Sequence, residues 1–127
     1  MANPNIVAVT SIYGNTSTLL ISSTADPFAT ALINNAAASG KVYKINSIVA
    51  ANVDGSAAAD ITIKIFSAAA LGGTGTAIAS TISIPPDASL IVTDKTTSFY
   101  LLEDKSIGAT ASAANDIVVT CSWEEIN

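Results

Sequence analysis

The chain has 127 residues, of which 50% are hydrophobic, 12% charged and 6% aromatic, and its formal net charge is −5. All of its cations are lysines, which are few and scattered, so it lacks the clustered Lys and Arg that bind nucleic acid or anionic membranes. It contains no histidine, which excludes the Ser-His-Asp and Cys-His arrangements of nucleophilic catalysis.

Strand signals recur about every 8 to 12 residues, a spacing typical of an all-β sandwich or barrel. The first three strands are predicted at residues 5–12, 16–22 and 28–34, with the turn letters YGN and TADP between them. A loop ending in Gly40 follows. The length and the lack of any linker predict a single domain over residues 1–127.

The longest predicted strand covers residues 41–53. Its alternation places Tyr43 and Ile45 on the core face and Ile48 on the opposite, half-polar face. The core face of a strand is expected to supply the anchors of the sandwich.

A second strong strand signal lies at residues 61–67. Ile61, Ile63 and Ile65 alternate with polar residues and are predicted core anchors. Because the turn dipeptide Asp54-Gly55 separates this strand from the one before it, we expect the two strands to pair as an antiparallel hairpin.

The second half of the chain continues in the same pattern. After a glycine-rich loop at 68–75, strands are predicted at 76–84, 88–93, 98–102, 105–111 and 116–125. Ile78, Ile82 and Ile84 are expected on one side of the first of these strands. In the last strand, Val119 and Trp123 are predicted core anchors, with Cys121 buried on the same face.

No arrangement of reactive side chains predicts an enzyme, a cofactor site or a metal site. The adjacent acids Glu103-Asp104 and Glu124-Glu125 would point to opposite faces of a strand, so neither forms a general acid–base pair. Asp54 and Asp60 bracket a loop that could hold Ca²⁺, but the EF-hand spacing is missing. The single cysteine excludes an internal disulfide, which fits assembly in a reducing compartment.

Three large apolar residues fall on predicted outer faces: Ile48, Phe66 and Ile91. Either the strands bend and bury them, or they lie exposed together and form a subunit interface. Tyr13, Tyr43, Tyr100 and Trp123 are the side chains that a carbohydrate-binding surface would use, but most of them fall on predicted inner faces.

Several phrases of the sequence carry a resemblance to a known family. The opening MANPNIVAVTSIYG, the segments GKVYKINSIVAANVDG, AADITIKIFSAA and ASTISIPPDASLIV, and the ending VTCSWEEIN together resemble small virion structural proteins of tailed bacteriophages, including marine and cyanobacterial ones. These phrases are structural and carry no functional residues to transfer.

The resemblance implies a particle component that is present in many copies. The expected fold is an all-β, antiparallel, jelly-roll-like β-sandwich of about 8–10 strands, with residues 1–5 as an extended N-terminal arm.

The expected function is capsid decoration, in which a homotrimer binds the major capsid protein across capsomer junctions, without nucleic acid, membrane or cofactor as partners. The alternatives are a neck, tail or fibre protein and a carbohydrate- or receptor-binding module. The opening residues lack the features of a signal peptide. The resemblance implies a location in the virion, after assembly in the host cytoplasm.

Overall fold

A computed structural model of the chain describes residues 4–24 and 31–127. The described residues form nine β-strands and one short 3-10 helix. The strands are β1 (Ile12–Leu20), β2 (Ala31–Asn35), β3 (Val42–Asn52), β4 (Ala59–Ala68), β5 (Gly72–Ile84), β6 (Ser89–Thr93), β7 (Phe99–Leu101), β8 (Lys105–Ala111) and β9 (Ile117–Ile126), and the 3-10 helix is Lys95–Thr97.

The strands form two antiparallel sheets that pack face to face. Sheet A has the order β1-β9-β3-β6, with β7 also paired to β3, and sheet B has the order β2-β8-β4-β5. Because β6 and β7 share the same edge of β3 and are separated only by the 3-10 helix, they act as one interrupted strand. The chain crosses repeatedly between the sheets in the winding of a jelly roll. The predicted all-β, jelly-roll-like sandwich is confirmed.

The predicted hairpin between β3 and β4 is wrong. β3 pairs with β6, β7 and β9, whereas β4 pairs with β5 and β8 in the other sheet. The Asp54-Gly55 turn therefore carries the chain across the sandwich instead of returning it beside the same strand. A turn dipeptide looks the same whether it closes a hairpin or carries the chain to the other sheet. The sequence alone therefore favours the hairpin, which is the simpler connection.

The N-terminal region also differs from the prediction. The first strand begins at Ile12 and runs through the expected turn at 13–15, while residues 5–11 form turns and irregular backbone. The side chain of Asn5 accepts a hydrogen bond from the Val7 N–H at 3.0 Å, which holds a turn where a strand was predicted. Of the predicted arm 1–5, residues 1–3 lie outside the described residues, as do residues 28–30 of the third predicted strand.

The core between the sheets is rich in isoleucine. Four of the predicted anchors are fully buried: Ile45, Ile61, Ile63 and Val119. The other three, Tyr43, Ile65 and Trp123, are half-buried and pack against this cluster from its rim. Side chains of this branched type suit the pleated inner faces of a sandwich.

A β-bulge in β3 reverses the predicted alternation halfway along the strand. The register with β9 shifts between Ile45 and Ser47, so that residues beyond the bulge exchange faces. Ile48 is consequently 0% exposed and lies in the core, and its assignment to a subunit interface is wrong.

Bulges also change β5. The register between β4 and β5 shifts at three places, and Thr81 and Gly73 adopt φ angles of 51° and 71°. As a result Ile78 and Ile82 are 39% and 38% exposed, and only Ile84 of the three predicted inward residues is buried.

Two buried asparagines join the sheets at opposite ends of β3. The Asn52 side chain, in sheet A, donates to the carbonyl oxygen of Ile84 in sheet B at 2.9 Å. The Asn35 side chain, in sheet B, donates to the carbonyl oxygen of Leu101 in sheet A at 3.2 Å. Both amides are almost completely buried, so each satisfies backbone groups that water cannot reach.

Candidate functional site

The outer surface of sheet A carries a contiguous patch without charged side chains, which we call the uncharged face. It spans four strands in matched cross-strand rows. Its residues are Thr16, Thr18 and Leu20 of β1, Val118, Thr120 and Ser122 of β9, Ser47, Val49 and Ala51 of β3, and Ser89 and Ile91 of β6.

The local structure explains why these side chains share one face. β1 and β9 pair through nine consecutive residues without a bulge, so every second residue of β1 projects from the same side. In β3, the bulge at 45–47 turns Val49 and Ala51 outward. Ile91 and Leu20 remain 63% and 45% exposed at opposite sides of the face.

A row of charged and aromatic residues borders the uncharged face. Gly14, Glu124, Lys44 and Tyr100 lie side by side across β1, β9, β3 and β7. The rows that follow, toward the first residues of β6 and β9, contain only small, hydroxyl or aliphatic side chains. Charged side chains therefore border the face and do not lie within it.

Of the three predicted interface residues, only Ile91 belongs to this face. Ile48 lies in the core, as described above, and Phe66 lies on the outer side of sheet B but is only 7% exposed. Its ring packs against Gly75, where an added Cβ would come within 2.9 Å of the Phe66 ring. The glycine opposite the ring explains how Phe66 is covered without turning into the core, so its interface assignment is wrong as well.

A shallow groove lies beside Phe66 at the edge of sheet B. It has a volume of about 250 Å³ and is lined mainly by Ile65, Phe66, Thr74, Thr76 and Lys105. The Lys105 ammonium donates to the Ser67 carbonyl oxygen at 3.0 Å, so this cation helps to hold the local backbone.

Three aromatic side chains gather at the end of sheet A where β3 begins. Tyr13 and Tyr43 both lie opposite Glu125 of β9, and Trp123 lies two residues away on the same side. The rings of Tyr43 and Trp123 are 6.3 Å apart and tilted by 30°. The Trp123 Nε1–H is buried and has no hydrogen-bond partner among the described residues.

The charges beside this aromatic cluster are paired. Lys41 forms an ion pair with Glu125, and the hydrogen bond and negative charge of Glu125 raise the pKa of Lys41. Burial and the nearby Glu125 raise the pKa of Tyr43. Tyr13 is 62% exposed, whereas the other two rings are half-buried against each other.

The acidic residues highlighted by the sequence have structural partners. Glu103 is 4% exposed and its carboxylate accepts the Gly40 N–H at 2.6 Å. Its neighbour Asp104 accepts the Ala69 N–H at 3.0 Å. Asp54 accepts bonds from the backbone and side chain of Ser56, which lower the pKa of Asp54. Sequence reasoning missed the burial of Glu103, because an acid at a strand end usually indicates a solvated loop.

Reactive groups do not converge in the described part of the chain. Burial raises the pKa of the Cys121 thiol to about 12, and the residue is 1% exposed. Among residues 4–24 and 31–127, no group of three or more His, Cys, Asp and Glu side chains could hold a metal ion. Asp54 and Asp60 accordingly do not form part of such a cluster.

No protein-family model matches the chain, and no curated protein matches it either. Across the described segments, none of the helices has the length and apolar character needed to cross a membrane.

Proposed function

We propose that the protein is a structural component of a bacteriophage virion, and specifically a capsid decoration protein that binds the major capsid protein across capsomer junctions. The observation that carries the proposal is the uncharged face of sheet A. The resemblance of the sequence phrases to virion structural proteins supports the assignment to a particle. The proposed working form is a homotrimer on the capsid surface, assembled in the host cytoplasm.

The chemistry of the uncharged face suits permanent burial against protein. Charged residues are depleted in the cores of protein interfaces because their desolvation is costly. The hydroxyl and aliphatic side chains of this face avoid that cost, and burying apolar area contributes roughly 25 cal/mol per Å². Ile91, exposed at one side of the face, is the largest single contribution available.

The sandwich also suits a role as a rigid clamp. Its isoleucine core and the two amides that cross between the sheets fix the position of the face relative to the rest of the molecule. A rigid module loses little conformational entropy on binding. Repetition over a shell then strengthens weak individual contacts through effective concentration.

The direct test is a reconstruction of the phage particle that contains this chain. Density for the protein distributed over the head surface, with sheet A toward the shell, is the expected result. A single ring of copies at one vertex would instead support the neck, tail or fibre alternative. The absence of the chain from purified particles would refute any virion role.

A binding assay with matched variants tests the face itself. Ile91→Lys places a charge within the proposed contact, on its β6 side, whereas Ile78→Lys places the same charge on an exposed isoleucine of the other sheet. We expect Ile91→Lys to lower the occupancy on undecorated heads by at least about tenfold, and Ile78→Lys to bind normally. Equal binding by both variants would contradict the proposed contact.

The aromatic cluster of Tyr13, Tyr43 and Trp123 favours one second candidate, a carbohydrate- or receptor-binding module. Only Tyr13 offers an open ring face, because the other two rings pack on each other. A glycan array on the purified protein tests this candidate. Binding that is lost in Tyr13→Ala would support it and would move the protein from a structural to a receptor-binding role.

A further inference from the structure

The outer edge of β1 carries hydrogen-bonding groups without partners among the described residues. Ser11 exchanges backbone bonds with Asn127, and the Ile21 N–H donates to Ile117, so the odd-numbered residues of β1 bond to β9. By the alternation of an antiparallel ladder, the N–H and C=O groups of the even-numbered residues point away from the sheet. Five alternate residues from Ile12 to Leu20 therefore have no backbone partner among the described residues on this side and can pair with another strand.

This edge differs from the other sheet edges. β5 is interrupted by three register shifts, β2 by one, and the β6–β7 edge by the 3-10 helix. Such irregularities are the usual means by which proteins prevent edge-to-edge association. β1 has nine residues in continuous register, with no lysine, no proline and no charged side chain. An edge of this kind is a template for a further strand.

The sequence of β1 is complementary to itself when two copies run antiparallel. With Thr16 on the two-fold axis, Ile12 of one copy lies opposite Leu20 of the other, and Gly14 lies opposite Thr18. Ile12 and Leu20 are 54% and 45% exposed, so this register covers both apolar ends at once.

The other face of the strand follows the same symmetry. Tyr13 would lie opposite Leu19 of the second copy, and Asn15 opposite Ser17. Tyr13 is 62% exposed in the single chain, and an aromatic–aliphatic cross-strand pair would cover it. No pair in the register opposes two like charges.

We propose that the edge of β1 is a two-fold contact between copies of this chain, in which Ile12–Leu20 pairs antiparallel with itself about Thr16 and joins the two A sheets into one. The occupant is a second copy rather than an unrelated strand because the register matches every apolar residue with an apolar partner. The pairing satisfies five N–H and five C=O groups on each copy. A single pair of strands is a small contact compared with the interface of a stable dimer. We therefore expect the two copies to associate only at high protein concentration.

The test uses the identity of the residue on the axis. In the Thr16→Lys dimer two ammonium groups would face each other, and in the Thr16→Asp dimer two carboxylates would face each other. Because like charges repel, each variant alone is expected to dimerise at least about tenfold more weakly than the native protein. An equimolar mixture of the two variants places Lys against Asp and should restore association. Thr16→Val, which keeps the backbone edge and adds no charge, is the matched control and should associate normally.

Analytical ultracentrifugation over a concentration series measures the outcome, with circular dichroism to verify that each variant is folded. The proposal is overturned if the native protein shows no doubling of mass at high concentration, if the charged variants associate as well as the native protein, or if the mixture fails to recover. A trimer that persists in the native protein and in all Thr16 variants, with no doubling of its mass in any of them, would uphold the oligomer of the proposed function while refuting this contact. The proposal does not depend on where the protein lies in a particle.

Discussion

Replacing Asn52 with alanine tests how the two sheets are held together. The side chain makes three hydrogen bonds: its amide nitrogen donates to the carbonyl oxygens of Ala57 and Ile84, both at 2.9 Å, and its oxygen accepts the Asp54 N–H at 3.0 Å. The residue is 2% exposed. Asn52→Ala therefore leaves the buried carbonyl of Ile84 without this donor and frees the turn that carries the chain between sheets.

The expected loss follows from these contacts. An intramolecular hydrogen bond contributes about 1 kcal/mol net, so the three bonds of Asn52 predict that the free energy of unfolding falls by about 3 kcal/mol. For a domain of this size, that corresponds to a decrease in Tm on the order of 10 °C. Urea denaturation followed by tryptophan fluorescence measures the change, since the chain has a single tryptophan, and the m value should not change.

The matched control is Asn46→Ala in the same strand. Asn46 is half-buried at the β3 bulge. Its side chain makes no hydrogen bond to another described residue, so Asn46→Ala should cost less than about 0.5 kcal/mol. If the two variants unfold at the same urea concentration, the buried amide does not stabilise the contact between the sheets. Asn35→Ala, at the other end of the sandwich, should add independently to Asn52→Ala.

Three further predictions concern the core, the packing of sheet B and the thiol. Ile48→Ala should lower the free energy of unfolding by about 2–5 kcal/mol, whereas Ile91→Ala should change it by less than about 0.5 kcal/mol; equal effects in urea denaturation would contradict the bulge. Gly75→Ala should cost about 1–3 kcal/mol through overpacking, while Gly14→Ala, which meets nothing within 4 Å, should be neutral in a thermal melt. Burial raises the pKa of Cys121 from 9.0 to about 12, so the folded state retains a proton that the unfolded state loses. The stabilising contribution of this group is complete below pH 9 and declines as the pH rises toward 12. Cys121→Ala should reduce this alkaline decline, and rapid alkylation of the native thiol near pH 8 would show that it is not buried.

The periodic parts of the fold could be predicted from the sequence because period-two alternation is a direct consequence of a half-buried strand. Ile61 and Ile63 of β4 and Val119 of β9 lie in the core for this reason. The alternation in β3 was equally clear, but it gave the wrong face for Ile48. A bulge adds one residue without requiring glycine or proline, so no letter near Asn46 indicates the change of face.

The connections between strands could not be predicted in the same way. A short turn such as Asp54-Gly55 can close a hairpin or cross a sandwich, and the choice depends on which strand completes the neighbouring sheet. Here β9, from the far end of the chain, occupies one edge of β3, and β6 and β7 occupy the other, so neither edge is left for β4. The same non-local packing decides the environment of Glu103 and of the two buried asparagines.

The uncharged face and the edge of β1 can be used at the same time, because they point in perpendicular directions. The side chain of Thr16 projects from sheet A, whereas its free N–H and C=O groups lie in the plane of the sheet. Ile91 lies three strands away from β1 in the order β1-β9-β3-β6, which at the usual strand spacing is about 14 Å. A charge at Ile91 should therefore disturb contact through the face but leave edge pairing intact. Gly14→Pro should have the opposite effect, because the Gly14 N–H points away from β9, Gly14 lies outside the uncharged face, and proline is tolerated on an edge strand. If Gly14→Pro abolished binding to heads while the native protein bound as a monomer, the face and the edge would have to be one contact, and their perpendicular arrangement would be wrong.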